Sequence, residues 1–252
     1  MSFSENTELL EWLGTPRVVG TIPSRAALDA ALKVSPERVD IMELRIDGLL
    51  AEGGLDRGDY RKLSRLSHRH PLLLTVRHPG EGGAIPTMDA ASRLRWYREF
   101  LPAAALIDVE ARSLRGAKAE GFAELVADAR LEGRGVVVSA HDFAGTPGLG
   151  RMRALGRFAM ERGADVFKLA VRLRTADEFA RLVAFGGVAL GRGVLSLMGM
   201  GAEFGRVSRL AMAALGSALN YGYLDAGARV EGQWAAADFK DRLSEVLPKA
   251  SE

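Results

Sequence analysis

The chain has no cysteine, which removes disulfide frameworks, thiolate metal sites and cysteine nucleophiles and fits a reducing, cytoplasmic setting. No stretch reaches the roughly 18 uninterrupted apolar residues of a membrane span. The opening Met1-Ser2-Phe3-Ser4-Glu5-Asn6 has neither the basic start nor the apolar core of a secretory signal. Surplus charge of one sign is also missing. The net charge is +2 although the pI is near 9.0, and basic residues are scattered among acids, which argues against a nucleic-acid surface. Histidine is scarce, with four in the chain, and no pair has helical ligand spacing, so no metal site is expected. The first strand is not followed by Gly-x-Gly-x-x-Gly, the main signature of a dinucleotide fold. Lysine is the last shortage, at six of the 34 basic residues.

What the chain does have is a rhythm. Its 252 residues, 48% of them hydrophobic, alternate short β-branched apolar runs with longer amphipathic segments, the pattern of a parallel α/β fold. Strands are expected at Arg17–Ile22, Val39–Arg45, Leu72–Arg77, Ala104–Glu110, Val136–Ser139, Asp165–Val171, Gly193–Leu197 and Leu219–Tyr223. Helices are expected near Ser24–Lys33, Asp59–His68, Asp89–Leu101, Ala117–Glu132, Leu149–Arg162, Thr175–Ala184, Val207–Gly216 and Ala235–Leu247. Ser24, Asp59 and Thr175 read as N-caps, with Glu178 completing a capping box on Thr175. Gly133, Gly163 and Gly186 fall where helices want a left-handed residue. Eight such units in about 250 residues, without a Pro- or Ser-rich linker, give one (β/α)8 TIM barrel over residues 1–252. A doubly wound open sheet is the alternative. Residues 1–16 form a short N-terminal extension, in which Asn6–Leu13 could be a helix plugging the barrel bottom.

Five lysines (Lys33, Lys62, Lys118, Lys240, Lys249) sit in stretches that read as surface. Lys168 alone lies inside an apolar strand, Asp165-Val166-Phe167-Lys168-Leu169-Ala170-Val171. Desolvation there disfavours the ammonium, and a neutral buried lysine is a nucleophile for carbonyl carbon. The structural alternative is an ion pair with a carboxylate such as Asp165 or Glu110. The other strands speak for chemistry. Residues two apart share a face, which groups Val39, Ile41, Glu43 and Arg45; Leu73, Thr75 and Arg77; Leu106, Asp108 and Glu110; Val137, Ser139 and His141; Val166, Lys168 and Ala170. Each set begins apolar, and four of the five end polar or charged; in the Lys168 set only the middle residue is charged. A barrel gathers such strand ends around one mouth, so Glu43, Arg45, Arg77, Asp108, Glu110, His141 and Lys168 should converge. An inward salt-bridge layer accounts for some of them, less well for a histidine and a lysine together. His68 and His70 should meet solvent or helix carbonyls, and His78 lies in a loop.

Taken together, the residues resemble the type I 3-dehydroquinate dehydratases. The matching pieces are Glu43-Leu44-Arg45-Ile46-Asp47, Thr75-Val76-Arg77 with Glu81-Gly82-Gly83, Ile107-Asp108-Val109-Glu110, Ser139-Ala140-His141-Asp142-Phe143 with Thr146-Pro147, and Asp165-Val166-Phe167-Lys168-Leu169-Ala170. Met200-Gly201, Ser208-Arg209-Leu210, Gly216-Ser217 and Gly232-Gln233 follow in family order. The resemblance implies a barrel without metal or organic cofactor, usually a homodimer. It implies a small-molecule substrate, 3-dehydroquinate, dehydrated to 3-dehydroshikimate in the shikimate pathway. On that resemblance Lys168 forms an imine with the ring ketone, His141 is the acid–base residue, and Glu81 orients it. Arg209 matches the arginine that takes the substrate carboxylate; Glu43, Arg45 and Arg77 match residues that hold the ring hydroxyls and imine region. Thr21 stands where the family often has a small hydroxyl residue, and Gln233 matches a glutamine on the lid loop.

The chain departs from the family in three places. The lid reads Arg229-Val230-Glu231-Gly232-Gln233 rather than Ser-Ala-Pro-Gly-Gln, so Arg229 is expected either to clash or to supply a new anion contact. The segment from Met200 to Arg209 is one residue longer through Ala202-Glu203-Phe204-Gly205, and the N-terminal hairpin of many members is missing or rebuilt. Two other functions compete. A class I aldolase-like barrel would use Gly199, Gly201 and Gly205 as a phosphate cradle. A catalytically weak paralogue would bind a carboxylate metabolite without turning it over.

Overall fold

The expected strands recur as parallel strands in the computed structural model, which describes residues 6–188, 194–225, 227 and 230–247. They are β1 (Arg17–Ile22), β2 (Ile41–Arg45), β3 (Leu72–Thr75), β4 (Leu106–Glu110), β5 (Gly135–Asp142), β6 (Val166–Arg172), β7 (Val194–Met200) and β8 (Leu219–Tyr223), followed by a two-residue β9 (Trp234–Ala235). The sheet runs β7-β6-β5-β4-β3-β2-β1-β8-β9. Between β7 and β8, the Ala218 N–H donates to the Leu195 carbonyl at 2.8 Å and the Ser196 hydroxyl to the Leu219 carbonyl at 2.7 Å. These bonds bring β7 to β8 and curl the sheet into a (β/α)8 barrel.

Strand alternation sorts the side chains as the sequence implies. Val19, Ile41, Leu73, Leu106, Val137, Val166 and Leu219 form an inner apolar cluster, whereas Met42, Leu44, Leu72, Leu74, Phe167, Leu169 and Val171 pack outward with the helices. Val39, expected on the inner face, belongs to the outer set because β2 begins only at Ile41. The register then sets the polar ends side by side. Arg45 pairs with Thr75, Thr75 with Asp108, Glu110 with Ser139, and Ser139 with Lys168.

The helices are α1 (Asn6–Trp12), α2 (Arg25–Ala31), α3 (Ile46–Ala51), α4 (Arg57–Ser67), α5 (Ala90–Phe100), α6 (Ala119–Leu131), α7 (Leu149–Glu161), α8 (Ala176–Gly186), α9 (Gly205–Ala214) and α10 (Ala236–Val246). Ser24 and Thr175 cap α2 and α8, accepting from the Ala27 and Glu178 N–H groups. Asp59 is not the cap of α4. Asp56 is, and Asp59 closes a capping box from the third helical position. The carboxylate of Glu178 accepts from the Arg174 and Thr146 N–H groups, so the box expected at Thr175 forms on one side only. Gly133 and Gly163 are left-handed, whereas Gly186 is still helical. One helix, α3, has no counterpart among those expected; it is short and starts directly after Arg45.

The plug is present. Leu9 and Leu13 are buried in the inner cluster with Val19, Ile41 and Leu106. Leu13→Ala should therefore cost about 2–4 kcal/mol of unfolding free energy in a urea titration, with turnover unchanged. A loss below about 0.5 kcal/mol, the range of ordinary surface changes, would show that the helix does not fill the barrel floor. No helix among the described residues is long and apolar enough to cross a membrane.

Candidate active site

The C-terminal strand ends enclose a cavity of about 430 Å³, and Thr21, Glu43, Arg45, Arg77, Glu81, His141, Lys168, Arg209 and Gln233 all line it. Asp108 and Glu110, expected at the mouth, lie fully buried beneath it and do not line it. Arg229 lies outside the described residues. Ala170, Met198, Met200, Tyr221 and Val230 supply apolar wall.

Lys168 is 3% exposed. Its partner is neither Asp165 nor Glu110. Nζ donates to Asp108 Oδ2 at 2.9 Å, lies 3.7 Å from Glu43 Oε1, and sits over the Tyr221 ring at 3.8 Å from the centroid. The amine therefore stands in a polar nest, not in the apolar surroundings its strand neighbours imply. Asp165 is occupied elsewhere, accepting from Val136 N–H and Arg130. Arg77 grips Asp108 through both Nη atoms at 3.0 and 2.8 Å and also reaches Glu110 at 3.0 Å and Ser139 Oγ at 2.9 Å. Arg93 holds the other side of Glu110. Burial opposes charge on Asp108, but Arg77 and Lys168 more than offset it and hold the carboxyl well below its usual range. Three cations (Arg77, Arg93, Lys168) face three carboxylates (Glu43, Asp108, Glu110). The layer is balanced, which is what permits its burial.

Arg45 forms a two-pronged pair with Asp47 at 2.9 and 2.7 Å. Asp47 also accepts from the Arg77 and Ala84 N–H groups. This carboxylate at the start of α3 was not singled out in the sequence, yet it ties the strand ends of β2 and β3 to the loop that carries Glu81.

His141 is fixed from below. Its Nδ1 lies 2.8 Å from Glu81 Oε2, which also accepts the His141 backbone N–H at 3.1 Å. With Nδ1–H donated to that carboxyl, the Nε2 lone pair is left for the cavity. Phe143 stacks on the ring with planes 14° apart. Burial, Arg77 and Lys168 hold the imidazole well below its ordinary value. Burial and the Glu110 carboxylate push Glu81 up to about 7. A neutral imidazole at neutral pH is a base ready to accept a proton. The other histidines play different parts. His78 Nδ1 accepts from Gly80 N–H, and buried His70 reaches the Val34 carbonyl.

Arg209 behaves unlike the other buried cations. It is 3% exposed, its Nη1 donates to the Tyr221 carbonyl at 3.1 Å, and its Nε has no partner. No carboxylate among the described residues pairs with it, and burial alone brings the guanidinium down to about 10. Two more orphaned polar atoms line the same cavity, Gln233 Oε1 and Tyr221 Oη. Buried groups of this kind are rare unless a ligand completes them. Tyr221 was missed in the sequence. The signal was there, since Leu219, Tyr221 and Tyr223 alternate on β8 as the charged residues do on other strands.

The lid is pinned to the loop after β7. Gly201 N–H donates to the Glu231 carbonyl at 3.0 Å, and Arg172 reaches the Glu231 carboxylate at 3.4 Å. Gly232 has φ +82, and a Cβ there would lie 2.6 Å from Gly205 Cα. Residues 201–204 form a turn before α9. The glycines of a phosphate cradle are thus committed. Gly201 and Gly205 are packed against the lid, and Gly199 against Leu173 and Ser208.

Residues 18–246 match the model of the type I 3-dehydroquinase family. The chain is 32% identical over 220 residues to a 3-dehydroquinate dehydratase of Halobacterium salinarum, covering 86% of this chain and 92% of that protein. It is 31% identical over 238 residues to a catabolic 3-dehydroquinate dehydratase of Acinetobacter baylyi, covering 90% and 84%. Among solved structures, the type I 3-dehydroquinate dehydratase of Clostridium difficile with covalently modified comenic acid superimposes with a TM-score of 0.79 at 25% identity, covering 92% of each chain.

Proposed function

The chain belongs to the type I 3-dehydroquinase family, and from that premise we propose that its cavity dehydrates 3-dehydroquinate to 3-dehydroshikimate, the shikimate-pathway reaction, through an imine on Lys168. The observation that carries the reading is Arg209, a buried guanidinium without a counter-anion, on the wall of the cavity that holds the amine and the neutral histidine. The substrate offers the matching groups, a carboxylate for Arg209 and a ketone for Lys168. Arg45, Glu43, Thr21 and Gln233 remain to meet the ring hydroxyls.

In the sequence of steps, the amine adds to the ketone carbon and water leaves, giving an iminium. His141 Nε2 takes the proton from the adjacent carbon, and the C–H electrons move into the iminium to form an enamine. The enamine then expels the hydroxyl on the next carbon, which receives the proton from His141 and departs as water. Hydrolysis frees the product and the lysine. Glu81 keeps the imidazole oriented and offsets its charge while the proton is held. Arg77 does not act as a free donor in this reading. Both of its Nη atoms are engaged by the buried layer, Nη1 with Asp108, Glu110 and Ser139 and Nη2 with Asp108, so it shapes the floor that seats Lys168. Arg229, four residues before the lid glutamine in sequence, is proposed as a second contact for the substrate carboxylate. The cytoplasmic homodimer implied by the family belongs to the same proposal, and light scattering of the purified protein checks the dimer.

The direct test is turnover, followed as the growth of conjugated-enone absorbance from 3-dehydroquinate. A protein that binds the substrate without converting it would instead be the carboxylate-binding paralogue. Arg209 provides a second test. Arg209→Met should raise KM by about 10- to 150-fold, the value of one or two charge-assisted hydrogen bonds. The melting temperature should hold or rise, because a desolvated, unpaired charge is removed. A lowered melting temperature with unchanged KM would assign Arg209 to the fold.

A further inference from the structure

Tyr221 carries a polar atom that the fold leaves unexplained. Its side chain is 4% exposed on the inner face of β8, and Oη has no hydrogen-bond partner. The ring lies beneath Lys168 Nζ, while the backbone carbonyl of the same residue holds Arg209. One residue thus joins the amine that attacks the ketone to the guanidinium that takes the carboxylate. Leaving a buried hydroxyl unpartnered is destabilising, and a phenylalanine would fill this wall equally well. Burial and the charges of Glu43 and Asp108 keep the phenol protonated far into the alkaline range. The hydroxyl is therefore a donor. Those carboxylates already have donors of their own, Asp108 from Arg77, Ser139 and Lys168 and Glu43 from Thr75.

We propose that Tyr221 is a further substrate-contact residue whose Oη donates a hydrogen bond to the ketone oxygen and then to the carbinolamine hydroxyl formed at Lys168. The proposal rests on the reading of Lys168 as the imine-forming residue. When the amine adds, a C–N bond forms and the carbonyl π electrons move to oxygen. One ammonium proton first passes to His141 Nε2 to free the nitrogen lone pair. After addition a second proton moves from nitrogen to that oxygen, giving the carbinolamine hydroxyl, which takes the proton held on His141 and leaves as water. Tyr221 stabilises the negative charge that develops on oxygen and keeps its own proton. Its ring face meets the cation that remains on nitrogen once the iminium has formed.

Tyr221→Phe deletes the hydroxyl and keeps the ring. The experiment is rapid-quench borohydride trapping with enzyme in excess over 3-dehydroquinate, run on wild type and variant beside thermal melts of both. The variant should form the Lys168 adduct at least about tenfold more slowly, with a melting temperature equal to or above that of wild type, as expected when an unsatisfied buried group is removed. Equal trapping rates would overturn the proposal. So would slower trapping accompanied by a lowered melting temperature, since the hydroxyl would then be serving the fold. A wild-type protein with no adduct at Lys168 would overturn the imine reading itself, and this proposal with it.

Discussion

Lys168→Ala is expected to lower kcat by about 10⁵-fold or more, the scale seen when a covalent nucleophile is removed from an enzyme whose other groups remain in place. The loss should come from chemistry and not from unfolding. Asp108 keeps both Arg77 bonds and the Ser139 hydroxyl after the amine is gone, so the buried carboxylate is not stranded. Circular dichroism and a melting curve beside the assay separate the two causes. Turnover within about tenfold of wild type would mean that the ketone is activated without a covalent bond.

His141→Ala is expected to reduce kcat by about 10²- to 10⁴-fold, the range for loss of a general acid–base group, while the imine still forms. The pH profile adds a sharper signature. The imidazole is held well below its ordinary value and Glu81 is pushed up to about 7. The base form of His141 thus persists through neutral pH, and activity should fall only on the acid side of the usual imidazole range. Glu81→Gln removes the carboxylate that offsets the imidazolium while the proton is held, so kcat should fall at and above neutral pH, where that carboxylate is charged. The acid limb lies where Glu81 is already protonated and should hold its place. An unchanged kcat on the alkaline side would detach Glu81 from the histidine. Stability carries its own sign. The folded state favours protonated Glu81, so the stabilisation from that group is full below the ordinary carboxyl range and is lost as pH rises through about 7. For His141 the folded state favours the neutral ring, and its contribution is lost as pH falls through the lowered value.

Much of this architecture was legible in the chain because barrel strands carry two signals at once. In β2 and β4 the residues two apart run from apolar to charged, and the same alternation that buries Ile41 and Leu106 points Glu43 and Asp108 inward. What alternation cannot tell is depth. Glu110 and Asp108 share a face with their neighbours, yet Arg93, reaching in from α5, draws Glu110 below the cavity floor. Nor does a strand's own composition report its partners across the barrel. Lys168 looks apolar in sequence because Phe167 and Leu169 face the helices, while its real neighbours come from β2, β4 and β8. Asp47 and α3 were hidden for a related reason, since Ile46-Asp47 continues the β2 pattern by one step before the chain turns. Tyr221 carried no charge to draw the eye, although its position on β8 was as readable as that of His141 on β5.

The imine at Lys168 is the claim on which the rest depends, and it can be trapped. Borohydride is added while the protein turns over 3-dehydroquinate, and the protein is then digested and its peptides weighed. Inactivation together with one ligand-derived mass increment on the peptide that carries Lys168 is the predicted result; continued turnover without any adduct, or an adduct on a different lysine, would contradict it.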